Sequence, residues 1–348
     1  MITPDDMPQQ PGGAPQRQNG NDLTRRDFLR RAATASALAA GACALGLTLY
    51  DGAPPPPAPP SRVLPGLGDF SVAQRPDGAA RMAVVRGADR AAMFATGIAA
   101  LGGMDAYIKP GDCVLIKVNA VFASPAVLGA TTHPELLAAV AGACFKAGAA
   151  KVSVTDNPIN SPEGCFEISG LSGAAAQTGA RIILPKAQLF SPVSLPGARL
   201  IKDWPVLTGA FAGVNKVISL APVKDHHRAG ASMLLKNMYG LLGGRRNVFH
   251  QDINGIIAEL AVLLKPTLCV LDGTVSMMTN GPTGGSLSDL KATGMLVVGT
   301  DPVAADAFGA ELLGRTLSDL PYLRMAQAAG AGTADYKTLD PAILDAGA

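Results

Sequence analysis

The chain has few cysteines and no two in a CxxC spacing: Cys43, Cys113, Cys144, Cys165 and Cys269 are scattered singly along 348 residues. Such spacing excludes a zinc ribbon or a ferredoxin-type site, so no iron–sulfur cluster is expected. Aromatic residues make up 5% and charged residues 16%, and no basic patch is interleaved with aromatics, which excludes nucleic acid as a partner. GxSxG, the phosphate-binding P-loop and GxGxxG are all missing, which removes the usual serine-hydrolase and nucleotide-binding readings. No period of 20 to 50 residues repeats, which excludes solenoids and propellers. What is present is apolar mass: 48% hydrophobic residues, enough to bury a sizeable core. Residues 1–60 hold five basic and five acidic groups, so the remaining body keeps the +2 of the whole chain.

The N-terminus reads as an address. Thr24-Arg25-Arg26-Asp27-Phe28-Leu29-Arg30-Arg31 precedes an apolar run over residues 32–50. This pattern resembles a twin-arginine (Tat) export signal, which implies the twin-arginine translocation machinery as a partner and a periplasmic location. The apolar run approaches the ~20 residues that span a bilayer, so an uncleaved anchor on the outer side of the inner membrane is the alternative to cleavage. The tract PPPPAPP over residues 54–60 favours an extended spacer. The expected organisation is a signal or anchor over residues 1–53, a proline-rich linker over 54–69 and one domain over 70–348.

The body alternates apolar runs of strand length with helical periodicity. Residues 113–118 and 151–155 read as buried parallel strands, and the helix between them opens at Thr132-His133-Pro134-Glu135, with Thr132 expected as its N-cap. Residues 216–220 and 267–271 read as further strands, with 295–299 as the last. Residues 231–242 read as a helix carrying Lys236 and Asn237, and 185–212 as β-structure in an irregular insertion. The fold class is therefore α/β: a mostly parallel sheet with helices on both faces, plus a small irregular β-containing insertion.

In such sheets ligands gather beyond the carboxyl ends of the strands. Lys117, Asn119, His133, Asp156, Lys224, Asp272 and Asn280 fall there by topology, and Asp306, inside a helix, needs a polar partner. Three of the four histidines, His226, His227 and His250, lie in one 38-residue window, 217–254, with Lys224, Lys236 and Asn237. Imidazoles in this number could hold a transition metal, although His226 and His227, adjacent in a strand, would point opposite ways. The lysines, with Arg245 and Arg246, could clamp a carboxylate or phosphate. With Cys43 set aside in the signal, Cys165, in a loop, is the one remaining cysteine not expected in the core.

These residues carry a resemblance. Ile116-Lys117-Val118-Asn119, Thr132-His133-Pro134-Glu135, Val223-Lys224-Asp225-His226, Leu235-Lys236-Asn237-Met238-Tyr239-Gly240, His250, Leu271-Asp272-Gly273, Asn280-Gly281-Pro282-Thr283 and Asp301-Pro302-Val303-Ala304-Ala305-Asp306 resemble the domain of unknown function 362 family, over a core of residues 114–322. The family's lysine-proline-asparagine is Lys117-Val118-Asn119 here, and its lysine-threonine-histidine is Lys224-Asp225-His226. Many relatives also carry a cluster-binding domain that this chain's cysteines do not provide. A looser similarity links the Lys236 segment and Gly243-Gly244 to the nickel-dependent lactate racemase group, in which histidines act as acid and base. The expectation is an exported enzyme acting on a small anionic substrate, with His226, Lys236 and His250 as its acid–base residues and a transition metal as an open question. Lys117, Asn119, His133, Asp156, Lys224, Asn237, Asp272, Asn280 and Asp306 are expected to bind the ligand. The alternative is a non-catalytic periplasmic ligand- or metal-binding accessory protein of a redox pathway.

Overall fold

The structure, a computed structural model, describes residues 24–49, 67–72 and 78–347. The chain divides into two units, Met1–Pro59 and Pro60–Ala348. Within the first, α1 (Arg25–Leu49) begins at the twin arginines, with Asp27 in its first turn. Among the described residues no helix is long and apolar enough to cross a membrane. Nearly all of the proline-rich linker lies outside the described residues.

The second unit begins its described course at residues 67–72, where Phe70 donates its N–H to Lys265 O at 2.8 Å. The elements then follow the expected alternation: β1 (Met82–Arg86), α2 (Arg90–Ala100), β2 (Cys113–Lys117), α3 (Pro134–Lys146), β3 (Lys151–Thr155), α4 (Pro162–Ile168), α5 (Leu171–Thr178) and β4 (Arg181–Ile183). The insertion forms a separate two-stranded antiparallel sheet, β5 (Ser191–Val193) with β6 (Trp204–Val206). β7 (Lys216–His226), β8 (Gly230–Ser232), α6 (Leu234–Asn237) and α7 (Ile253–Leu263) come next, then β9 (Leu268–Met277), β10 (Leu290–Gly299), α8 (Pro302–Leu312), α9 (Pro321–Ala328) and β11 (Ala342–Asp345).

The main sheet runs β11-β1-β10-β9-β7-β2-β3-β4, with β8 folded back on β7. Along that path only β10 is antiparallel to its neighbours. The fold is thus α/β with a mostly parallel sheet. Alternation along each strand feeds two apolar cores. Val114, Ile116, Ile218 and Val270 face α2 and α3, whereas Leu115, Val217, Cys269 and Leu271 face α7 and α8.

Several boundaries differ from the sequence reading. Lys216–His226 is one strand twice the expected length, because β9 and β8 both pair with its second half and satisfy its backbone. The expected helix over 231–242 is a strand, a single α-turn and a 3₁₀ segment, Met238–Leu241. Gly230, at φ 76°, reverses the chain to lay β8 against β7. The N-cap of α3 is His133, whose Nδ1 accepts from Glu135 N, and not Thr132. Thr132 Oγ1 instead accepts from Asn119 N at 2.8 Å and lies 3.2 Å from Leu220 O. Cys165 is buried in α4 rather than set in a loop.

Candidate functional site

β2 delivers Lys117 to the face of the sheet shared by Leu115, and the side chain is wholly buried. Taking an ammonium out of water is costly unless it is paired. Its partner is Asp156, just past β3, at 2.8 Å, and Nζ also donates to Val118 O and, at 3.0 Å, to Asn237 Oδ1. Burial pulls the Lys117 pKa down, and Asp156 opposes that pull. Asp156 further accepts from Ala120 N at 2.6 Å and Asn157 N at 2.8 Å. Asn237 in turn receives Asn119 Nδ2 at 3.2 Å and donates to Leu220 O at 3.1 Å. β2, β3, β7 and α6 are thereby tied together by one buried polar network.

Asn119, Asp156, Asn157 and Asn237 of this network reach a cavity of about 1300 Å³, while Lys117 stays buried behind them. Asn119, Asp156, Lys224, Asn237 and Asn280 line it, as do Lys236 and all three clustered histidines. Phe122, Ile159, Phe190 and Pro205 give it an apolar wall. Asp156 is the single carboxylate in the lining, whereas Lys224, Lys236 and Arg246 supply three cations.

Neither lysine of the lining makes a salt bridge, although Asp156 acts on Lys224 through space. Lys224 Nζ donates to Ala130 O at 2.5 Å and Asn119 Oδ1 at 3.1 Å, both neutral. Lys236 Nζ sits 5.1 Å from the centre of the Tyr239 ring, a cation–π contact. Burial first, and then the charge of Lys236, lowers Lys224 to about 7. Burial first, and then Arg246, lowers Lys236 to about 8. Arg246 donates to Asn157 O at 2.7 Å and to the carbonyls of Leu242 and Tyr239, so the basic turn of the sequence is a folded clamp.

The histidines contradict strict alternation. β7 ends at His226, His227 belongs to the turn after it, and their rings stack at 5.0 Å with 14° between planes. The ring of His250 lies 6.2 Å from that of His226 and 5.5 Å from that of Tyr239. Burial holds His226 far down, at about 2, and also lowers His250. Among the described residues no group of three His, Cys, Asp or Glu is arranged to hold a metal ion.

Four expected ligand residues do not line the cavity: Lys117 is wholly buried against Asp156, and Asp272, His133 and Asp306 lie elsewhere. Asp272 falls in the middle of β9 and not at its end; alternating with Leu271, it turns to the opposite core, where it accepts from Arg90 Nε at 2.7 Å. His133 belongs to that same patch, through Glu135. Asp306 has main-chain partners and no lysine: it accepts from Leu234 N at 2.8 Å and Leu235 N at 2.9 Å, which caps the turn that presents Lys236 and Asn237. Burial raises its carboxyl to about 7 against the pull of those two N–H groups. Asn280 lines the cavity while donating to Asp289 Oδ1 at 2.6 Å. Sequence reasoning did not single out Tyr239, Asn157 or the apolar wall. Only Tyr239 left a trace, in the motif that follows Lys236.

The chain belongs to the family described as Domain of unknown function (DUF362), which matches residues 114–311. Within reach of that family, it is 27% identical over 236 residues to the "Thylakoid-associated protein sll1697" of Synechocystis sp., covering 64% of this chain and 70% of that protein. Among solved structures, the lactate racemase apoprotein from Thermoanaerobacterium thermosaccharolyticum aligns with a TM-score of 0.36 at 12% identity, covering 71% of this chain and 59% of that one.

Proposed function

We propose that the cavity is the binding site of an enzyme whose substrate carries a carboxylate or phosphate on an apolar body, with acid–base chemistry by lysine and histidine. One observation carries the reading. Lys224 and Lys236 face the cavity with no carboxylate in contact, because Asp156 is bound by Lys117 and two backbone N–H groups and reaches Lys224 only through space. An unpaired buried cation such as Lys224 is costly, and an anionic ligand would pair it together with the half-buried Lys236. The volume suits a ligand larger than a bare anion, since pockets for drug-sized molecules run to about 300–1,000 Å³. Phe122, Ile159, Phe190 and Pro205 would cover its apolar part.

Calorimetric titration with benzoate, phenyl phosphate and phenylpyruvate tests this. Binding that is lost in Lys236→Ala and matched by no uncharged analogue is the expected outcome; equal affinity for benzamide would refute the reading. Turnover separates the enzyme from the non-catalytic accessory protein, which would bind without converting anything. The Arg25-Arg26 signal supports export of the chain by the twin-arginine machinery to the periplasm or to the outer side of the inner membrane.

A further inference from the structure

Main-chain groups fix each histidine of the cavity, and they fix them in opposite senses. Nδ1 of His226 lies 3.1 Å from Arg228 N and 3.2 Å from Ala229 N, and both of those groups donate. A ring nitrogen that accepts carries no proton, so neutral His226 holds its proton on Nε2. Nδ1 of His250 lies 3.1 Å from Asn247 O and 3.4 Å from the Tyr239 hydroxyl, whose own hydrogen goes to Arg246 O, and Nδ1 of His227 lies 3.2 Å from Gly281 O. A carbonyl only accepts, so these two rings carry Nδ1–H and leave the Nε2 lone pair free. The assignment follows from the fixed roles of the backbone partners.

We infer that the cavity divides its chemistry between tautomers: His226 is a permanent Nε2–H donor to an oxygen of the bound molecule, and His250 is the base that takes a proton from it at Nε2. The inference rests on the anion-site reading above. His226 cannot exchange roles. Either its imidazolium or the Nδ1–H tautomer that a base would need places a hydrogen against two N–H donors at once. The same geometry removes it as a metal ligand, because a ligating imidazole gives its other N–H to an acceptor. Its strongly lowered pKa agrees. A neutral imidazole kept in this way polarises a carbonyl without delivering a proton. Between the two rings of the other tautomer, His250 is the one beside Tyr239, the ring on which Lys236 rests.

The step this permits is balanced without an oxidant. A C–H next to a carbonyl gives its proton to His250 Nε2. The C–H electron pair moves into the enolate, whose oxygen accepts from His226 Nε2–H. The His250 imidazolium keeps Nδ1–H on Asn247 O and returns the proton on reversal. The substrate class is accordingly an anionic carbonyl compound with an acidic neighbouring C–H.

The full chain, labelled with 15N in histidine and ligand-free, tests the tautomers by two-bond proton–nitrogen correlation, with signals assigned from His226→Gln and His250→Gln. His226 is expected protonated at Nε2 and bare at Nδ1, and His250 the reverse. Phenylpyruvate then tests the roles, through deuterium uptake at its methylene carbon. His226→Gln, whose amide keeps an N–H at the Nε2 position, should bind within about threefold of wild type, whereas His226→Ala should lose about tenfold. His250→Gln should bind but lose the exchange and its fall at acid pH. A protonated Nδ1 on His226, or equal losses in His226→Gln and His226→Ala, overturns the assignment and leaves the anion site standing. Failure of benzoate, phenyl phosphate and phenylpyruvate all to bind overturns both.

Discussion

The Lys117 ammonium and the Asp156 carboxylate meet at 2.8 Å where neither side chain is more than 2% exposed. This pair uses the only carboxylate of the cavity lining, and neither Lys224 nor Lys236 makes a salt bridge. Removing one partner strands a buried charge. Asp156→Ala should therefore destabilise the fold by about 3–5 kcal/mol, read from urea unfolding, while the double change Lys117→Met with Asp156→Leu should cost less. A single variant as stable as wild type would show that the pair holds nothing together.

Gly240 reports on the same pair by shape. A Cβ there would collide with the Asp156 carboxylate and lie 2.9 Å from Lys117 Nζ. Gly240→Ala is expected to lower the melting temperature and to weaken phenyl phosphate binding together, whereas Gly142→Ala, with open space around it, should change neither.

Lys224 and Lys236 set the pH response. A lysine in the unfolded chain titrates near 10.4, and these two sit at about 7 and about 8 in the folded protein. From about pH 7 to 10.4 these two lysines bind more protons in the unfolded chain, so their contribution to stability should rise with pH, most visibly below pH 9, above which buried Cys144 and Cys269 act the other way. Lys224→Met with Lys236→Met should flatten the rise. Anion affinity should run the other way, falling above pH 8 as Lys236 loses its charge; a pH-independent affinity would remove Lys236 from the site.

Asp306 bears on the cavity only through α6. Asp306→Ala leaves the Leu234 and Leu235 N–H groups without their acceptor inside the core, which should cost about 2 kcal/mol and loosen the turn carrying Lys236. Asp306→Asn retains one carbonyl oxygen and should recover part of both stability and anion affinity. Recovery of stability alone would make Asp306 a purely structural cap.

Export is checked separately. Arg25→Lys with Arg26→Lys should retain the full-length chain in the cytoplasm, and cell fractionation with an antibody reads the outcome. Unchanged periplasmic recovery would point to a different route.

The sequence alone carried the βαβ unit over residues 113–155, since each strand there is a short apolar run and the helix between them opens at Thr132-His133-Pro134-Glu135. It also carried the family motifs and the concentration of histidine and lysine between 217 and 254. It overstated the helix at 231–242 because Met233, Leu234, Met238, Leu241 and Leu242 keep a helical apolar spacing, although Gly230 and β7 pair the first of that segment into a strand. Strand length was equally hidden. Whether β9 stops before or after Asp272 depends on β10, which supplies its partner across the sheet. That decided whether Asp272 joined the cavity or Arg90. The chemical roles were further from reach still: the proton on each imidazole is dictated by carbonyl and N–H groups of the folded backbone, and the pairing of Lys117 with Asp156 joins residues 39 positions apart. Residue types decided which reactive groups the chain carries, and burial with backbone register decided which of them reach the cavity.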